Sequence, residues 1–351
     1  MSRSVLVVTI GLVMFGCIFF VPDFLGKRVD ALEIENLEQA AQAGISTASI
    51  ALGKIYIANP NVRNYELARK CFEKAIENGV DEGYAHLGDL YAGGLGVKKD
   101  LAKARELYSV GVQRNDPVCM NYLAILYLKE NDEEKAGQLM LRSADLGYRS
   151  AQLNMGCALI FGNLKLEIDN ERGARFINSA SAQNFAPAFF FSGFVAQHGI
   201  GCKQDFQIAI EFYKKAYEMG AGCAGIELIN IAEENPSLAK KNNIDLDSVK
   251  AQTYKYCLRS AKSGNIDDLV RIQHFLRNGI GGPINVALAE EIRSNARITL
   301  KRGVEEGSVF SKFYLGLSSL EDGDDNGLAL IEDAAKSNFQ PAKNYLAKRK
   351  P

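Results

Sequence analysis

Bulky, small and helix-ending residues recur along this chain in a fixed register. Nine positions, Gly44, Gly79, Asn115, Gly147, Asn184, Gly220, Gly264, Gly307 and Asn338, carry only Gly or Asn. Four residues before each stands Ala40, Ala75, Gly111, Ser143, Ala180, Ala216, Ser260, Gly303 or Ala334, none larger than Ser. Seven before stands Leu37, Phe72, Tyr108, Met140, Ile177, Tyr213, Cys257, Leu300 or Ile331. This spacing keeps all three positions on one helical face over two turns. Gly and Asn accept the left-handed backbone that closes a helix, so each marks a C-terminal cap. The small residue admits a neighbouring helix and the bulky one fills the space between them.

A second apolar segment precedes most of these helices. It runs from a small residue to a Gly five positions on: Ala48 to Gly53, Gly83 to Gly88, Ala151 to Gly156, Ala188 to Gly193 and Ser311 to Gly316. The third copy, Cys119 to Ala124, gives up the Gly. Gly inside a helix costs about 1 kcal/mol relative to Ala, so its repeated use predicts a close backbone crossing. The unit is therefore two antiparallel helices. Two repeats share a loop, Gly94 to Asp100 and Gly199 to Asp205, and Asp100 and Asp205 stand where an N-cap belongs. These loops are not phosphate cradles, because no strand precedes them and the Gly-Lys-Ser/Thr run is missing.

The segments AHLGDLYAGGLGVKKDLAKARELY and AFFFSGFVAQHGIGCKQDFQIAIEFYKKAYEMG resemble the Sel-1-like repeat family, relatives of the tetratricopeptide repeats. The resemblance extends over nearly all of residues 31–351. It implies an all-α, right-handed superhelical α/α solenoid of about eight helix-pair repeats, ending near residues 44, 79, 115, 147, 184, 220, 264, 307 and 338. The sixth and seventh repeats, 221–264 and 265–307, are longer and lack a clean Leu-Gly, and the loop from Glu234 to Asp247 is the expected irregularity. Residues 31–43 read as a lone second-type helix. Residues 339–351 read as a terminal cap, with Lys343, Lys348, Arg349 and Lys350 as its solvated end.

Residues 1–30 differ in kind. Val5 to Val21 carries no charge, the short end of a membrane-spanning length, and no small-x-small cleavage site follows. This predicts an uncleaved signal anchor through residues 5–21 in a bacterial inner membrane, with the repeats in the periplasm. The alternative is a cleaved or lipidated periplasmic protein, since Met14 to Cys17 resembles a degenerate lipoprotein box. The 41 basic and 42 acidic side chains nearly cancel, which argues against nucleic acid, whose binder needs a basic face. Cys17 lies in the apolar segment; of the six cysteines in the repeats, Cys71 and Cys257 sit at packing positions and read as small hydrophobes, and Cys202 and Cys223 are the one pair to test for a disulfide.

Catalysis, metal binding and cofactors find no support. His86, His198 and His274 lie in three different repeats, read as exposed helix residues or isolated ones, and no nucleophile or dinucleotide motif occurs. What remains is surface. By analogy with related repeats, the first helix of each unit lines a concave face whose exposed positions are Lys54, Asp89, Asn121, Phe190, Phe194, Gln197 and Phe313, with Phe191 replacing Phe190 if the register shifts by one. Exposed aromatics in a groove anchor interfaces. The expected function is a non-catalytic scaffold holding a protein partner, and the resemblance implies an envelope assembly factor or a toxin-immunity binder. The alternative is a polysaccharide or cell-wall glycan adaptor that would stack sugars on Tyr84, Tyr91, Tyr122 and Tyr127.

Overall fold

The computed structural model describes residues 31–260, 276–305 and 307–349, and among them there is no strand. A lone helix α1 (Ala31–Gln42) is followed by the pairs α2 (Ser46–Ala58) and α3 (Tyr65–Glu77), α4 (Glu82–Gly93) and α5 (Leu101–Gln113), and α6 (Pro117–Lys129) and α7 (Glu133–Asp145). The pairs α8 (Arg149–Phe161) and α9 (Asn170–Ala182), and α10 (Ala186–His198) and α11 (Phe206–Glu218), continue the series. In the sixth repeat the extra length forms a short helix, α13 (Pro236–Lys241), between α12 (Gly222–Glu234) and α14 (Leu246–Ser260). It lies within the loop expected to be irregular, and Asn235 caps it by accepting from Leu238 N–H at 3.2 Å. Then come α15 (Val286–Glu305), α16 (Val309–Glu321), α17 (Asn326–Lys336) and α18 (Gln340–Arg349). The chain divides into two compact units at Ala151/Gln152. Gly264, His274 and the predicted anchor at 5–21 lie outside the described residues. No described helix is long and apolar enough to cross a membrane.

The helix ends follow from the repeating triplet. Gly44, Gly79, Asn115, Gly147, Asn184, Gly220, Gly307 and Asn338 all adopt positive φ. The amide beyond the cap then turns back on the carbonyl of the small residue: Ile45 to Ala40, Val80 to Ala75, Asp116 to Gly111, Tyr148 to Ser143, Ala221 to Ala216, Ser308 to Gly303 and Phe339 to Ala334, at 2.9–3.2 Å. These are Schellman closures, which satisfy carbonyls that a helix end would leave orphaned. The small residue thus has two tasks, admitting a neighbour and supplying the acceptor. At the N-termini, Asp100 accepts from Lys103 N–H at 2.9 Å and Asp205 from Gln207 and Ile208 N–H at 2.8 and 3.0 Å, as the loop pattern predicts.

The mid-helix glycines need a partial correction. A Cβ on Gly53, Gly88 or Gly193 would sit 2.4–2.7 Å from the ring of Phe72, Tyr108 or Tyr213, so these sites receive a side chain instead of a backbone. Gly156 and Gly316 do make the backbone crossing: an added Cβ would lie 2.8 and 2.6 Å from the carbonyl oxygens of Gly173 and Gly327, with Ile177 and Ile331 alongside. The difference lies in the opposing helix. Phe72, Tyr108 and Tyr213 are preceded four residues earlier by Ala68, Ala104 and Ala209, whereas Ile177 and Ile331 are preceded by Gly173 and Gly327. A ring spans a gap that a smaller aliphatic cannot, so the isoleucine pairs close the gap by bringing the backbones together. Phe72, Tyr108 and Tyr213 are 0–2% exposed, and full burial of such a ring is worth about 2–3 kcal/mol.

First helices are the inner ones. Ten of the thirteen residues of α10 are buried against four in α11, which is why first helices read as apolar all round while second helices show one apolar stripe.

Candidate interaction face

In the unit that ends at Ala151, the first helices present a continuous line of polar side chains. Lys54 on α2 pairs with Glu82 at the start of α4 at 2.5 Å, and His86 Nε2 lies 3.4 Å from the same carboxylate oxygen. The bond to His86, and after it the contact with Lys54, hold the Glu82 carboxyl down to about 2 against the opposing effect of burial. One turn on, Asp89 accepts a hydrogen bond from Tyr108 Oη at 2.6 Å and another from Tyr122 on α6. Burial pushes the Asp89 carboxyl up to about 6, and the two phenols and His86 counter only part of that shift. Tyr122 bonds in turn to Tyr148, just ahead of α8, and Tyr148 to Ser150. Burial drives the phenol of Tyr122 well up, so it stays protonated and able to donate. His86 also stacks on Phe72, ring centroids 4.9 Å apart, and is half-buried instead of the exposed residue expected.

The unit that begins at Gln152 presents an aromatic face on the corresponding helices. The expectation that its rings stand exposed is corrected: Phe190, Phe191 and Phe194 are 4%, 7% and 5% exposed, Phe313 is 7%, and both alternatives of the one-residue register shift are buried. Phe190 packs against Tyr213 at 5.7 Å and edge-on against Phe191 at 5.4 Å. Phe194 faces Phe161 at 6.3 Å and the ring of His198 at 4.6 Å, which makes His198 half-buried as well. Phe161 in turn meets Phe310 of α16 edge-on at 6.1 Å and Phe339 at 5.8 Å. Phe313 lies against Phe339 and Tyr345 at 5.6 and 6.3 Å. On α18, Asn344 Nδ2 donates to the carbonyl of His198 at 2.9 Å, a contact spanning 146 residues. The tail is therefore not simply a solvated cap.

Of the other predicted positions, Asn121 is fully buried. Gln197 accepts from Tyr213 Oη at 2.5 Å and its carbonyl accepts from Gln204 at 2.7 Å. Lys54 and Asp89 are the two that the polar line brings together. Glu82, Tyr148, Phe161 and Asn344 were missed by the sequence reading. Tyr148 directly follows the cap Gly147, a place with no pattern of its own, and the role of Asn344 depends on a contact between distant repeats. Arg114 lies over Tyr84, and Arg105 and Lys135 over Tyr127, at 5.4–5.5 Å from the ring centroids, so cations cover rings considered for sugar stacking. Cys71, Cys119, Cys157, Cys202 and Cys223 are thiols; Cys202 and Cys223 form no disulfide. Among the described residues no group of three or more His, Cys, Asp or Glu side chains is placed to hold a metal.

The family model of the Sel1 repeat matches residues 62–80, 81–116, 117–148, 149–185 and 191–220, in register with the helix pairs. Those segments are similar to Sel1 repeats, and the described residues form an all-α solenoid of helix-pair repeats of that kind. DAP3-binding cell death enhancer 1 of Mus musculus is 23% identical to this array over 201 residues, which span 55% of this chain and 39% of the mouse protein. The chain thus covers well under half of that relative. Among solved structures, the Sel1 repeat protein from Oxalobacter formigenes is 22% identical, covering 58% of this chain and 92% of that one, with a TM-score of 0.49. The protective antigen c5321 of uropathogenic Escherichia coli, described as an SLR fold, is 20% identical over 86% of this chain and 71% of its own, with a TM-score of 0.47.

Proposed function

We propose that this array holds a protein partner along the line from Lys54 to Tyr148, and that residues 5–21 tether it to a bacterial inner membrane with the repeats in the periplasm. The observation that carries the reading is the unbroken chain of polar contacts across the first helices of three successive repeats. It sets a cation, a carboxylate, an imidazole, a second carboxylate and two phenols along one face. Asp89 is the specificity element. A carboxyl whose charge is disfavoured by burial gains when a cation arrives, so the partner segment that fits carries a Lys or Arg facing Asp89. Lys54 and Glu82 favour a partner with paired charges one turn away. Asn121, Phe190, Phe191, Phe194, Gln197 and Phe313 serve this function by shaping the scaffold from inside.

The partner belongs to the class of envelope assembly or regulatory components, or is a secreted toxin occluded by the array. A glycan-adaptor reading would need open tyrosine rings, and cations cover those of Tyr84 and Tyr127. The test is a crosslinked pull-down from envelope fractions with the full chain beside an Asp89→Ala variant of equal helix content. Loss of one protein with the variant supports the reading, whereas identical captures from both chains sink it. The tether is tested separately by fusing reporters after Pro351: a periplasm-only reporter is expected to give signal and a cytoplasm-only reporter none.

A further inference from the structure

We propose that the aromatic face of α8 and α10 is a helix-receiving groove, and that the chain's own C-terminal helices occupy it as a releasable latch. Repeats in a solenoid contact their immediate neighbours, yet α16 and α18 reach back to the fourth and fifth repeats. Among these contacts are Phe161 against Phe310 and Phe339, and Asn344 Nδ2 on the carbonyl of His198. That carbonyl belongs to the last residue of α10, beyond which Gly199 turns left-handed, and Asn344 donates to it. Its own carbonyl oxygen accepts from Gln340 Nε2 at 2.8 Å, which aims the amide nitrogen at α10. The occupant thus offers an aromatic at Phe339 and an amide donor five residues later, and the groove offers Phe161, Phe194 and the His198 carbonyl.

These contacts define the chemistry of the occupant. A partner helix carrying an aromatic and, one and a half turns on, an amide donor would meet the same groups and would compete with α18. The groove is then closed while the latch is shut and open to such a helix when it lifts. This inference does not depend on the polar line of the other unit, and its failure would leave the reading of Asp89 standing.

The chain contains no Trp, so Phe161→Trp in the full chain places a single indole among Phe194, Phe310 and Phe339. Its emission is expected to be blue-shifted and weakly quenched by acrylamide. Adding Asn344→Asp turns a carboxylate toward the His198 carbonyl. It is expected to shift the emission to the red and raise the quenching constant at least threefold, with unchanged helical circular dichroism. Emission that stays blue and shielded in the double variant would overturn the latch. As a measurement free of the indole, lysine crosslinking of the monomer is expected to join Lys203 to Lys343 in the parent chain and to lose that link with Asn344→Asp. A link that persists in the variant counts against the proposal. Finally, a labelled peptide of residues 337–351 is expected to bind the Asn344→Asp chain at least tenfold more tightly than the parent, and equal binding, or none to the opened chain, rules out the helix-receiving groove.

Discussion

The second and fifth repeats share their loop, their N-cap and their Gly-on-tyrosine crossing, yet their first helices present opposite chemistry. The residue after the crossing Gly is Asp89 in one and Phe194 in the other. In both repeats a tyrosine ring fills the space over the Gly and its hydroxyl reaches a side chain of the first helix, Asp89 from Tyr108 and Gln197 from Tyr213. The packing positions are therefore separate from the face positions. Scaffold and recognition surface vary independently, one held by ring burial and cap geometry, the other free to be a line of charges and phenols or a bank of phenylalanines.

The comparison breaks first at its shared element. Tyr108→Ala and Tyr213→Ala each remove a fully buried ring and should destabilise their own unit by about 3–4 kcal/mol in denaturant unfolding; a loss below about 1 kcal/mol in either would mean that the crossing does not hold that repeat. Next come the two face residues. Phe194→Ala should cost about 3 kcal/mol, because it opens a cavity beside Phe161. Asp89→Asn, measured at neutral pH, should cost little or even stabilise, because it relieves a half-buried charge and keeps an acceptor for Tyr108. Equal losses from these two changes would refute the division between packing and face.

The pH response sharpens the contrast further. A raised carboxyl means that the folded chain binds the proton more readily than the unfolded one, so Asp89 adds stability as pH falls from about 6 toward 4, on the order of 1–2 kcal/mol. Glu82 has the opposite sign: its depressed value gives stability present above the unfolded carboxyl range and lost as pH falls from about 4 toward 2. Stability of the first unit should then peak near pH 4–5, and Asp89→Asn should flatten the acid-side gain while leaving the loss below pH 4. Urea midpoints taken across pH 3–7 would decide it. The smallest effect is at the caps, where Asp100→Ala and Asp205→Ala should each cost about 1 kcal/mol. Thermal scans giving unequal losses would show that the two loops, alike in sequence, differ in what they anchor.

Much of this fold is legible in the sequence because its determinants are local. The cap residue, the acceptor four residues earlier and the ring three before that lie within two turns, and each is chosen by a steric or hydrogen-bonding need that the residue type itself displays. The exposure of the aromatic face was not legible. Phe190 and Phe194 occupy positions that are open in an array whose repeats touch only their neighbours, and here the cover over Phe194 comes from Phe161 and, beyond it, from helices far down the chain. Asp89 was legible as a face residue but not as a half-buried one held by phenols, because the phenol extending its network, Tyr148, follows a cap at a site that any residue can fill.

The two kinds of crossing also constrain how this chain can change. Where a glycine meets a ring, the opposing helix carries Ala four residues before the ring; where it meets isoleucine, that place holds a second glycine. Either residue of a pair altered alone produces a clash or a void. Turning Ile177 into an aromatic without also giving Gly173 a methyl group would push two helices apart, and shrinking Tyr213 without clearing Ala209 would leave them stranded. The two are locks with different keys: whole repeats can be exchanged along the array, while single positions at the crossing can change only in matched pairs.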